Sequence, residues 1–187
     1  DGAPAIFAGI NPENGKFFVA TKSIFNKTPK INYTNADIDA NHGGGLSDKL
    51  KVALKELPKL GMNGIYQGDI MFSKGDLKSQ TIDGISSLTF TPNTITYAVP
   101  EDSDLASQMR KASLGVVWHT KYTGKTIADL SASFGVDANI FKKTKQVWFD
   151  DAYLDTANAA TWSPSDVKKL DSKINQIQGA LKKAGKF

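Results

Sequence analysis

The chain contains no cysteine. Disulfides, thiolate metal sites and a cysteine nucleophile are therefore excluded, and the composition is compatible with a reducing cytoplasm. Histidine is nearly as scarce, with only His42 and His119, so a histidine-based metal centre is not expected. No apolar run approaches the roughly 18 residues of a membrane-spanning helix, no segment reads as a signal peptide, and no membrane partner is expected. There is no internal repeat and no low-complexity tract. Gly43-Gly44-Gly45 lacks the Gly-Lys-Ser/Thr ending that lets a glycine-rich loop grip phosphate, so it reads as a hinge.

What the chain does contain is an ordinary core. With 40% hydrophobic and 10% aromatic residues over 187 positions, it suits one domain, or one domain with a small extension. Such a length buries roughly 70% of the unfolded surface without a staple. The net charge of +4 suits a polyanionic ligand, though equally a basic protein of any other kind.

Ala5–Ala8 and Lys16–Ala20 flank Asn14-Gly15 and predict a hairpin. The polar stretch Lys22–Asp39 predicts a loop or irregular crossover. Leu46, Leu50, Ala53, Leu54 and Leu57 share one helical face, with Ser47 expected as N-cap and Pro58 and Gly61 as the stop. Ile65–Phe72 predicts a buried strand, and Ser73–Ser87 a polar excursion. Leu88–Phe90 and Thr94–Val99 predict a second hairpin around Pro92-Asn93. A short helix capped by Ser103 follows, then strands at Leu114–Thr120 and Val147–Phe149. Ser163-Pro164-Ser165-Asp166 opens a final helix. One of its faces is apolar; the other carries Lys168, Lys169, Lys173, Lys182 and Lys183. That lysine face is either solvated or a contact for nucleic-acid phosphates. The order predicts an α+β fold with largely antiparallel sheets, inserted helices and a C-terminal helix. The expected division is 1–150 and a helical extension, 151–187.

Three strings carry chemistry. The chain opens Asp1-Gly2, a later strand reads Gly68-Asp69-Ile70-Met71-Phe72, and Leu114-Gly115-Val116-Val117-Trp118-His119 follows. In this order they resemble motifs of the covalent nucleotidyltransferase superfamily, that is, the ATP-dependent DNA ligases, RNA ligases and mRNA capping enzymes. The wording is closest to ligase-like proteins of tailed bacteriophages. The family's first motif is Lys-x-Asp-Gly, so the resemblance implies a nucleophilic Lys just before Asp1, outside this chain. It implies that Asp1, Gly2 and Asp69 belong to the catalytic site and that Asp69 binds ribose or metal. Lys22 stands where the family places a phosphate-gripping basic residue, more usually Arg. Gly68 belongs to the third motif. Phe90 or Tyr97 would stack on the base, and Lys143 and Lys145 match the late Lys-x-Lys motif near the phosphates.

The resemblance also implies a ligase-type, ATP-grasp-like domain using ATP and Mg²⁺ on nucleic-acid ends, RNA or DNA, in the cytoplasm of a host cell if phage-encoded. Two departures stand out. Leu114 replaces the family's metal-associated Glu, and His119 replaces its Lys. Asp104, Asp150 or Asp151 would have to substitute for the missing acid, or the metal chemistry is lost. The alternative is then a catalytically inactive descendant, a nucleotide-binding module or a structural protein of a virion. A carboxylate among Ile70, Met71 and Phe72 is costly to bury unpaired, which makes Asp69 the leading site residue. Lys22 could equally be a solvated loop lysine, and Phe90 and Tyr97 core aromatics.

Overall fold

The computed structural model describes residues 3–152 and 163–185. The chain divides into two compact units, Asp1–Tyr153 and Leu154–Phe187. The first is α+β and built from two sheets.

It begins with the predicted hairpin, β1 (Ala5–Ile10) and β2 (Phe17–Ala20), antiparallel with Ile10 opposite Phe17. The following polar stretch is more ordered than its composition suggests. A 3-10 turn spans Lys22–Phe25, and α1 (Asn35–Asn41) starts from a capping box in which Thr34 and Asp37 satisfy each other's backbone amides. Next comes α2 (Gly44–Glu56). Its N-cap is Gly43, not Ser47. Gly44 takes φ +59°, a left-handed value that costs glycine little. The helix therefore starts earlier, and Ser47, buried, donates to Asp39 Oδ1 at 3.2 Å instead. A 3-10 turn, Leu57–Leu60, ends on Gly61 in the left-handed region.

The long central strand β3 (Ile65–Ser73) follows. The expected polar excursion after it is in fact a hairpin, β4 (Lys78–Ile82) and β5 (Ile85–Phe90), joined by Asp83 and Gly84, both at positive φ. Asp-Gly is suited to that turn. Every residue of β4 is exposed, so the alternation that normally reveals a strand is absent. β6 (Tyr97–Pro100) pairs with β5 and completes the small sheet, β4-β5-β6. Ser103 caps α3 (Asp104–Lys111), accepting from the Ala106 amide.

The remaining strands are β7 (Leu114–Thr123), β8 (Ser131–Phe134) and β9 (Val147–Asp151). The large sheet runs β2-β1-β3-β7-β8, with β9 also on β7. β8 and β9 divide one edge of β7: β9 pairs parallel with Leu114–Trp118, and β8 antiparallel with Thr120–Thr123. Between them lies His119, whose carbonyl accepts from the Gly135 amide. The main core lies on one face of this sheet, where Leu50 and Ala53 of α2 and Leu57 of the turn after it pack with Ile6, Tyr66, Ile70, Val116 and Trp118. A separate cluster of Phe72, Leu88, Phe90, Ala106 and Met109 joins the small sheet and α3 to the end of β3.

The second unit holds α4 (Pro164–Ala184), capped by Ser163 with Pro164 in its first turn, as the sequence predicts. No helix among the described residues is long and apolar enough to cross a membrane.

Candidate functional site

Asp69 lies in the middle of β3, opposite Ala5 of β1 and Val117 of β7. Alternation along the strand puts it on the same face as Gln67, away from the main core. A cleft of about 430 Å³ opens there, lined by Ala3, Pro4, Ala5, Thr21, Lys22 and Asp69, with Gln67 and Leu46. Lys22 reaches it because Thr21, accepting from the Ser23 amide, turns the chain at the end of β2.

Burial holds the Asp69 carboxyl above the ordinary carboxylate range, against the opposing pull of His119 and Lys22. His119 Nε2 is 3.9 Å from Asp69 Oδ2, and its Nδ1 is 2.7 Å from Thr120 Oγ1. Its ring packs over Phe134 of β8, centroids 6.4 Å apart and planes 24° apart. Gln67 accepts from the Tyr122 hydroxyl at 2.7 Å. Tyr122 in turn meets Phe7 and Phe25, each with centroids 5.6 Å away. Phe25 is half exposed and Phe134 largely so. The cleft side of the sheet thus combines a carboxylate, an amide, an imidazole, an ammonium and exposed aromatic rings.

The other sequence-expected residues lie elsewhere. Asp1 and Gly2 fall outside the described residues, while Ala3 and Pro4, next in the chain, line the cleft. Gly68 faces the core: a Cβ there would come within 2.5 Å of the Val117 carbonyl and 2.9 Å of the Trp118 ring. Its glycine is thus explained by packing. Phe90 and Tyr97 stack on each other across β5 and β6, 5.3 Å apart with planes 8° apart. Phe90 is buried in the cluster under the small sheet, and neither ring lines the Asp69 cleft. Lys143 and Lys145 are exposed in the loop before β9. Lys145 borders a separate hollow with Lys111 and Trp148.

Leu114 is fully buried in the main core. Of the acids that would replace a Glu there, Asp104 begins α3 and is exposed, as is Asp150. Asp151 is already engaged, accepting from the Ala138 amide at 2.8 Å. No group of three or more His, Asp or Glu side chains able to hold a metal occurs among the described residues.

Gln67, Tyr122, Phe25 and Phe134 are not among the site residues expected from the sequence. Gln67 was legible, standing two positions before Asp69 and so on the same strand face. The aromatic rings were not, because their neighbours come from four separate segments.

No curated protein and no solved structure matches the chain. One family model matches, over residues 1–187; the chain belongs to that family, DUF6267, a family of unknown function.

Proposed function

We propose that the cleft beside Asp69 binds a nucleotide and that the unit is a ligase-type nucleotidyltransferase domain acting on RNA or DNA ends with ATP. One observation carries this reading: Asp69, Lys22 and the segment Ala3–Ala5 line the same cleft. In a longer chain, a Lys two residues before Asp1 would stand at the head of that segment.

Its amine would attack the α-phosphorus of ATP. The P–N bond forms as the α–β phosphoanhydride breaks and pyrophosphate leaves. A 5′-phosphate oxygen then displaces the lysine, and a 3′-hydroxyl displaces AMP. Lys22 would neutralise phosphate charge, and the His119 imidazole stands where the family has a lysine and would offer a phosphate oxygen a ring N–H. Asp69, the carboxylate lining the cleft, would be the residue that holds a Mg²⁺ ion. When bound, that ion supplies charge neutralisation on the phosphates. The half-exposed Phe25 does not itself line the cleft, but it packs on Phe7 and on Tyr122, the partner of Gln67, and would be the base's platform.

A second reading, a nucleotide-binding descendant without catalysis, is favoured by one observation. Leu114 occupies the core where the motif would require an acid. The test is to incubate the chain extended upstream with α-labelled ATP or GTP and Mg²⁺, and to titrate both nucleotides into the 187-residue chain. A covalent adduct lost in Asp69→Ala supports the enzyme. Binding without an adduct, weakened about tenfold or more by Lys22→Ala, supports the descendant. Neither adduct nor binding overturns the nucleotide site altogether.

A further inference from the structure

The apolar residues of α4 are Val167, Leu170, Ile174, Ile177 and Leu181. Their spacing alternates three and four without a break. That is the seam of a coiled coil; a helix lying on a globular core shows a broader stripe. All five are substantially exposed, from 42% to 60%. The lysines Lys168, Lys169, Lys182 and Lys183 fall outside the seam, in the outward positions of the heptad. Extending the register by one step places Ala184 in the seam as well.

We infer that α4 is the dimerisation element of this protein and pairs antiparallel with α4 of a second copy. The seam fits its own reverse. Val167 faces Ala184 of the other copy, Leu170 faces Leu181 and Ile174 faces Ile177, so every seam position finds an apolar partner about a two-fold axis.

Charge selects this orientation. With Val167, Ile174 and Leu181 at a and Leu170, Ile177 and Ala184 at d, Asp166, Lys173 and Ala180 hold the flanking positions before the a residues, and Asp171, Gln178 and Gly185 those after the d residues. A parallel pair would bring Asp166 against Asp171 of the other copy, twice, with no opposite pair to offset it. The antiparallel pair brings Asp171 to Gln178 and Lys173 to Ala180, with no like-charge contact. Opposed helix dipoles favour the same choice. Within its own helix, Asp166 already has a cation in Lys169, at 3.3 Å.

The experiment is sedimentation of the 187-residue chain over a range of concentrations, joined to cysteine pairing. The chain has no native cysteine, so each introduced thiol reports alone. The expected results are a concentration-dependent dimer and, for Ile174→Asp, a dissociation constant raised at least ~100-fold, because the charge enters the interface twice. Ile174→Asp could also unwind the helix, so pairing supplies the independent readout. Val167→Cys mixed with Ala184→Cys should form a disulfide-linked dimer under mild oxidant, while either variant alone should not. Cross-linking of Val167→Cys alone would show a parallel pair and overturn the assignment. A monomer at every concentration would overturn it too, whether the seam lies against the chain's own first unit or binds anionic phosphatidylserine vesicles.

Discussion

His119 stands 3.9 Å from Asp69 because β7 has one residue more than β3 at this point. Gln67 pairs with Thr120 and Gly68 with Trp118, leaving His119 as the unpaired bulge residue. A bulge kinks a strand and re-aims a side chain. Here it turns the imidazole towards the carboxylate, at the place where β8 and β9 meet along β7's other edge.

The first prediction concerns pH. Burial raises the Asp69 carboxyl, and His119 and Lys22 oppose this without cancelling it. The folded state therefore takes up the Asp69 proton more readily than the unfolded chain. The stability this contributes is full below the ordinary value of 3.8 and is lost as pH rises through the folded value. Asp69→Asn should raise the melting temperature at neutral pH, with a gain that shrinks towards zero near pH 3. A lower neutral-pH melting temperature would mean that the ionised carboxylate holds the fold together.

Asp76 behaves with the opposite sign. Burial alone would raise its pKa, but hydrogen bonds from Lys49 and from the Ser73 amide and hydroxyl outweigh it and lower the carboxyl. Its stabilisation is present above 3.8 and lost as pH falls through the folded value. Asp76→Ala removes the cap on the turn after β3 and the link to α2, and should cost about 1–2 kcal/mol at neutral pH by chemical denaturation. The difference should shrink as pH falls below 3.8.

Gly68→Ala separates packing from ligand approach. The added methyl meets the Val117 carbonyl at 2.5 Å and Val116 and Trp118 at 2.9 Å, which should cost about 1–3 kcal/mol whether or not nucleotide is present. Gly75→Ala, with nothing within 4 Å, is the control and should leave the melting temperature nearly unchanged.

The proposed base platform is tested by comparing Phe25 with Tyr97. Phe25→Ala should weaken nucleotide binding about tenfold or more, as expected for one lost stacking contact, with only a small effect on stability because the ring is half exposed. Tyr97→Ala should leave nucleotide affinity unchanged. The reverse pattern would return the base to the small sheet.

Much of the fold was legible where burial is one-sided. The β1–β2 hairpin, β3, α3 and α4 show the alternation, helical spacing or caps their packing requires. β4 and β8 were not, because every residue in them is exposed and polarity alone reads as loop. The site divides along similar lines. Asp69 was legible as a carboxylate in an apolar strand, and Lys22 and Gln67 from their positions. His119's aim was not, since a bulge depends on the register between two strands and neither strand's sequence contains it. Phe90 and Tyr97 are neighbours in the small sheet because β5 and β6 pair them; sequence order alone could not separate them from the Asp69 cleft.

The small sheet rests on one strand. Leu88 and Phe90 of β5 enter the core, while every residue of β4 and all but one of β6 are exposed. Mutations can accumulate on β4 and β6 with little penalty to the fold, since surface changes seldom cost more than about 0.5 kcal/mol. These two strands are therefore the part of the molecule on which selection can redraw a recognition surface while the residues around Asp69 stay as they are.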